Sequence, residues 1–162
     1  MTKHTIAVLV ENKAGVLSRI SGLFARRGFN IDSLAVGPTD DPLISRITIV
    51  VEGDDYIAEQ VTKQLNKLID VIKVRKLKDT DIMVRELVLI KLQLLESQRS
   101  EIIDIAKIMD CKIVDISHTT LMLENTAKPE KINLLIDLVS KYKVLEIART
   151  GTIALQKGSG NV

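Results

Sequence analysis

Apolar residues run unbroken from Ile6 to Val10, the pattern of a strand covered on both faces in the middle of a sheet. The polar stretch Glu11-Asn12-Lys13 interrupts the run. Spacing then changes: Val16, Ile20, Leu23 and Phe24 recur at helical intervals, with Ser18, Arg19, Arg26 and Arg27 between or after them, which predicts an amphipathic helix. Gly28 follows its last turn, where a glycine ends helices. A second strand is predicted over about 30–36. Gly37-Pro38-Thr39-Asp40-Asp41-Pro42 is a turn by composition. Ser45, Ile47, Ile49 and Val51 alternate with Arg46, Thr48 and Val50, giving a third strand. Gly53-Asp54-Asp55 supplies a cap for a second helix striped by Ile57, Val61, Leu65 and Leu68, and 71–77 reads as a fourth strand.

After the polar break at 78–81 the same order returns. Residues 85–95 form a long strand with Val88, Ile90, Leu92 and Leu94 on one face. A helix over 97–110 carries Ile102, Ile105, Ala106 and Met109. Strands at 112–116 and 119–123 flank Ser117-His118. Pro129 suits the first position of a helix, which Ile132, Leu135, Ile136, Val139 and Tyr142 continue. A final strand over 144–156 is interrupted by Gly151, and Lys157-Gly158-Ser159-Gly160 reads as a loose tail. The prediction is an α+β chain of two ferredoxin-like (βαββαβ) domains, at 1–78 and 84–157.

Composition narrows the chemistry. Of 162 residues 46% are hydrophobic but only 2% aromatic, so the cores must be built from Ile, Leu and Val. Charges nearly balance, 23 basic against 21 acidic, which gives no electrostatic case for nucleic acid. RNA-recognition domains share this element order but stack bases on aromatics of the central strands; Ile6–Val10 and Ile47–Val51 hold none. No apolar stretch approaches the roughly 18 residues of a membrane span. The start Met1-Thr2-Lys3-His4 lacks the order of a signal peptide. The single cysteine, Cys111, excludes an intramolecular disulfide. A cytoplasmic protein is expected.

Catalytic signatures are missing. His4 and His118 have no partner at metal-ligand spacing and read as surface or satisfied core residues. Cys111 reads as a small buried hydrophobe. Asp40-Asp41 and Asp54-Asp55 fit turn and cap chemistry. There is no Gly-x-Ser-x-Gly, phosphate loop or dinucleotide fingerprint.

One segment invites a ligand. Asn12-Lys13-Ala14-Gly15-Val16-Leu17 joins the first strand to the first helix. A helix N-terminus offers unpaired N–H groups and the positive end of a dipole, which favour a carboxylate. Gly15 allows close approach to the backbone, and Asn12 can donate and accept, which matches a zwitterion. Asn30 begins the next strand. The plainer reading makes Asn12 a turn residue, Gly15 a loop glycine and Asn30 a helix-exit residue; the residues alone leave both readings open.

The runs Asn12-Lys13-Ala14-Gly15-Val16-Leu17-Ser18-Arg19-Ile20 and Arg27-Gly28-Phe29-Asn30-Ile31-Asp32-Ser33-Leu34 resemble the start of an ACT domain. Gly37–Pro42, Ser45–Ile49 and Gln64–Val71, with Arg85-Glu86-Leu87 and Ile147–Gly151, resemble the small regulatory subunit of acetohydroxyacid synthase, also called acetolactate synthase. Only Asn125-Thr126-Ala127-Lys128 does not align. The resemblance implies a non-catalytic chain that activates a large catalytic subunit and confers feedback inhibition by valine in branched-chain amino acid biosynthesis. Thiamine diphosphate, magnesium and FAD would sit on that partner, with no cofactor or metal on this chain. The first ACT domain would bind the effector and form a homodimer, the strand-to-helix loop of one copy facing the second strand of the other. Asn12, Gly15 and Asn30 match the effector motif; Ala14, Val16, Leu17 and Ile31 flank it. A free-standing ACT amino-acid sensor with another target is the rival.

Overall fold

A computed structural model describes residues 2–162. The chain divides into two compact units: residues up to Met83 together with Thr152–Val162, and Val84–Gly151.

The first unit begins with β1 (Thr2–Glu11), α1 (Val16–Arg27), β2 (Ile31–Pro38), β3 (Ile44–Gly53), α2 (Asp55–Leu65) and β4 (Val71–Leu77). The sheet order is β2-β3-β1-β4, with every neighbouring pair antiparallel. This is the predicted βαββαβ arrangement. Its central strand explains the unbroken apolar run: Ile6, Val8 and Val10 face the helices, while Thr5 and Ala7, pointing the other way, are also buried. Val16, Ile20, Leu23 and Phe24 of α1 and Ala58, Val61 and Leu65 of α2 close the core. Both caps follow their chemistry. Gly28 adopts φ 67° at the end of α1, and Asp54 accepts from the Ile57 N–H at 2.9 Å. His4 is the satisfied core histidine, with Nε2 3.2 Å from the Gly53 carbonyl.

The second unit holds most of β5 (Ile82–Gln93), then α3 (Arg99–Ile108), β6 (Lys112–Ile116), β7 (Thr120–Ala127), α4 (Pro129–Val139) and β8 (Val144–Arg149). The order β6-β7-β5-β8 repeats that of the first sheet. Val88, Ile90, Leu92 and Leu94 are buried together, as their alternation predicts. Cys111 packs against this core, and burial pushes its thiol pKa up, the behaviour of a small apolar residue rather than a nucleophile.

Three expectations gain detail. The strand predicted over 119–123 runs on into the segment that resists alignment: Asn125 to Ala127 continue β7. Asn125 is 97% buried, its relative exposure being 3%. Its Nδ2 donates to the Met109 and Asp110 carbonyls at 3.0 and 3.1 Å. Those carbonyls, at the end of α3, have no helical partner of their own, and the chain turns there with Asp110 at φ 59°. The predicted interruption at Gly151 separates two strands: β8 ends before Gly151 (φ 78°) and β9 (Ile153–Gln156) begins after it. The compact second unit runs to Gly151, and Thr152–Val162 pack with the first. Finally, the tail predicted loose over 157–160 is tied at both ends: Lys157 N–H donates to the Asp81 carbonyl at 2.7 Å, and Arg75 donates to the carbonyl of Asn161 just beyond it. Ahead of it, Thr152 N–H donates to Ser33 Oγ at 2.7 Å and Arg46 to the Ala154 carbonyl at 2.8 Å. The sheet face opposite the helices is built for this. Across it stand Ser33, Ala35 and Gly37 of β2 beside Thr5, Ala7 and Thr48, small side chains that admit another backbone.

Candidate functional site

The loop from Glu11 to Gly15 is fastened at each of its first residues. Glu11 N–H donates to the Asp70 carbonyl at 2.9 Å and Asn12 N–H to the Leu43 carbonyl at 2.7 Å. The Asn12 side chain is a turn residue and more: Nδ2 donates to the Pro42 carbonyl at 2.8 Å, which ties the loop to the β2–β3 turn. Gly15 occupies the N-cap of α1 with φ 88° and ψ −13°, a left-handed conformation that glycine adopts at little cost. It brings no side chain to cap the helix, and the first turn of α1 carries no acidic residue. Val16 N–H makes a long bond of 3.5 Å to the Lys13 carbonyl, and the next N–H groups of the first turn keep their capacity for an anion.

Asp70 anchors the same corner. It is buried to 2% exposure and forms ion pairs with Lys13 Nζ, at 2.9 Å, and with Arg19 of α1. The Lys13 ammonium, then Arg19, hold its carboxyl below the usual carboxylate range, against the opposing effect of burial. Glu11 and Asp70 in turn raise the pKa of Lys13. Both cations of this corner, Lys13 of the loop and Arg19 of α1, are thus paired with Asp70.

The seven residues singled out in the sequence do not share one place. Asn12, Ala14 and Gly15 are exposed, and Leu17 is 40% exposed. Val16 is a core residue beneath α1. Asn30 is exposed and Ile31 packs at the edge of the core. The strand register separates the groups. Val10, at the loop end of β1, lies opposite Ser45, whereas Ile31 lies opposite Val51. Ser45 and Val51 are six steps apart on β3, about 20 Å at roughly 3.3 Å per residue. Within one copy the loop and the start of β2 therefore sit at opposite ends of the sheet.

Residues 6–73 match the family described as the AHAS small subunit-like ACT domain, and 85–158 the small subunit of acetolactate synthase. A probable acetolactate synthase small subunit of Archaeoglobus fulgidus is 50% identical over 157 residues, covering 97% of this chain and 98% of that one. The chain belongs to the acetolactate synthase small-subunit family. The acetolactate synthase small subunit of Mycolicibacterium smegmatis is 46% identical over 96% of this chain and 91% of its own. The crystal structure of the acetolactate synthase small subunit from Thermotoga maritima superposes with a TM-score of 0.92 at 38% identity, covering 99% and 100% of the two chains.

Within this small-subunit fold, sequence reasoning missed Asp70. The residue stands alone between Ile69 and the apolar start of β4, and only the fold brings it to Lys13 and Arg19. A lone acid at the mouth of an apolar strand is the signal that was there to find. Among the described residues no cluster of three or more His, Cys, Asp or Glu could hold a metal, and no helix is long and apolar enough to cross a membrane.

Proposed function

We propose that this chain is the regulatory subunit of acetohydroxyacid synthase: it activates the catalytic subunit in the cytoplasm and transmits feedback inhibition by valine, itself making no acetolactate. Thiamine diphosphate, magnesium and FAD belong to the partner. The effector's carboxylate rests on the N–H groups at the start of α1, and its site is shared between two copies.

The separation of the two half-sites by the length of the sheet carries this reading. β2 is an edge strand. An open edge is a template for another strand. A two-fold pairing through antiparallel β2 edges sets the start of β2 in one copy beside the β2–β3 turn of the other, and Asn12 is tied to that turn. The interface is isologous, so the dimer carries two equivalent sites. Each takes Asn12, Ala14, Gly15 and Leu17 from one copy and Asn30 and Ile31 from its mate.

Complementation tests it. Asn12→Ala and Asn30→Ala each lose the valine response as homodimers while still raising acetolactate production by purified catalytic subunit. Mixed dimers of the two variants regain part of it, because one site is then wholly native. No recovery on mixing means that the residues act within one copy. No rise in acetolactate with the unaltered chain means that its target is another protein.

A further inference from the structure

Where the C-terminal tail crosses the outer face of the first sheet it leaves a pocket of about 330 Å³. This is at the small end of the roughly 300–1,000 Å³ typical of ligand pockets. A small metabolite fits and a nucleotide does not. Its walls are Leu9, Ile44, Leu155 and Val162, with Arg46 on its floor and Asp40 at its rim. All belong to the first unit.

Two polar groups here lack the partners that burial demands. Arg46 is half-buried on β3 and spends one N–H on the Ala154 carbonyl. No carboxylate of the described residues offsets its desolvation, which lowers its pKa. A guanidinium withdrawn from water without an anion is unfavourable, and its planar fork matches a carboxylate in two parallel hydrogen bonds. On the tail, Gln156 Oε1 is buried and accepts no hydrogen bond. Its amide lies close against Gly160, where the absence of a side chain leaves it room. The pocket thus offers a strong donor fork and a nearby carboxylate between aliphatic walls, with the orphan acceptor buried behind its lining.

We infer that this pocket is a second amino-acid site, taking an α-amino acid with a short aliphatic side chain: its carboxylate on Arg46, its ammonium toward Asp40, its side chain on Leu9, Ile44 and Leu155. The site is separate from the loop at the start of α1. It shares the β2–β3 turn with that loop, since Asp40 borders the pocket while the Pro42 and Leu43 carbonyls hold Asn12.

Amide chemical-shift mapping of the full chain tests the inference. The probe is L-2-aminobutyrate; 2-oxobutyrate, which has the same carbons and carboxylate but no ammonium, is the control. The amino acid is expected to shift the amides of Asp40, Ile44, Leu155 and Gln156, in the wild type and in the Asn12→Ala variant alike. Arg46→Met, which keeps the apolar stem, weakens this set by roughly 10- to 100-fold in affinity, the worth of a hydrogen-bonded charge. Asp40→Asn, an exposed change that leaves the fold alone, weakens it less. Shifts confined to 12–17 and 30–31 would overturn the inference, leaving the proposed effector site intact. So would shifts at the pocket that survive Arg46→Met in a folded protein, or equal binding of 2-oxobutyrate.

Discussion

Replacing Gly15 by Asp separates two effects that the structure makes calculable. The first is strain. At φ 88° and ψ −13° a side chain costs about 1–2 kcal/mol, and Asp and Asn tolerate this region better than most. A carboxylate at a helix N-terminus returns about 0.3–1 kcal/mol. Beyond the adjoining residues no heavy atom lies within 4 Å of the new Cβ, so there is no clash to add. The net cost is about 1 kcal/mol, a fall in Tm of roughly 4–8 °C for a unit of this size, and the fold survives. The second effect is repulsion. A carboxylate at Gly15 stands beside the effector's own, and two such charges about 4 Å apart repel by about 1–4 kcal/mol. Allosteric coupling is itself about 1–3 kcal/mol, so the valine response disappears while activation of the catalytic subunit persists. Gly15→Asn is the control, with the same backbone strain and nearly the same size but no charge. Acetolactate production by the reconstituted synthase, titrated with valine at low and high salt, reads the difference. Asp loses the response, Asn keeps a weakened one, and salt partly rescues Asp by screening. A wild-type response in Gly15→Asp would place the effector elsewhere. Equal impairment of both variants at every ionic strength would remove charge from the explanation.

The Lys13–Asp70–Arg19 clamp has a defined pH dependence. Because the folded pKa of Asp70 is depressed, the clamp is complete above the ordinary carboxylate range and is lost only as pH falls through the lower folded value. Amide signals of Lys13 to Gly15 should therefore hold steady through that range and shift below it; a midpoint at the ordinary carboxylate value refutes the clamp. In the second unit, Asn125→Ala leaves the Met109 and Asp110 carbonyls without their donor, at about 1–3 kcal/mol. Denaturant unfolding of the whole chain should show that loss, and an unchanged midpoint would mean that water caps α3 equally well.

The βαββαβ order was legible twice over because both periodicities are clean. β1 and β5 read as buried strands, Gly28 and Asp54 marked helix ends, and Pro129 opened α4. Asn125 was not legible, since it fills an inward position of β7 in line with Leu121 and Leu123, and pattern reading expects an apolar residue there. What makes it fit is a pair of carbonyls from α3, some fifteen residues earlier in the chain. The tail failed for a related reason. Its Gly and Ser composition signals looseness, whereas its ends are held by Asp81 and Arg75, both distant in sequence. Of the candidate site, the loop's chemistry was visible in Asn12 and Gly15. Its left-handed N-cap, its tie to Pro42 and the Asp70 anchor depend on three-dimensional neighbours.

The division of the chain at Met83 and Thr152 has a consequence for biosynthesis. The second unit is an insertion, complete once Gly151 has been made. The first unit is the first to emerge from the ribosome and the last to be finished, because its outer sheet face waits for Thr152–Val162. At about 5–20 residues per second, the small residues on that face stay uncovered for several seconds while the insertion is synthesised. During that interval a nascent chain offers its open β face to neighbouring polysomes, and a stall in the second half of the message prolongs the exposure.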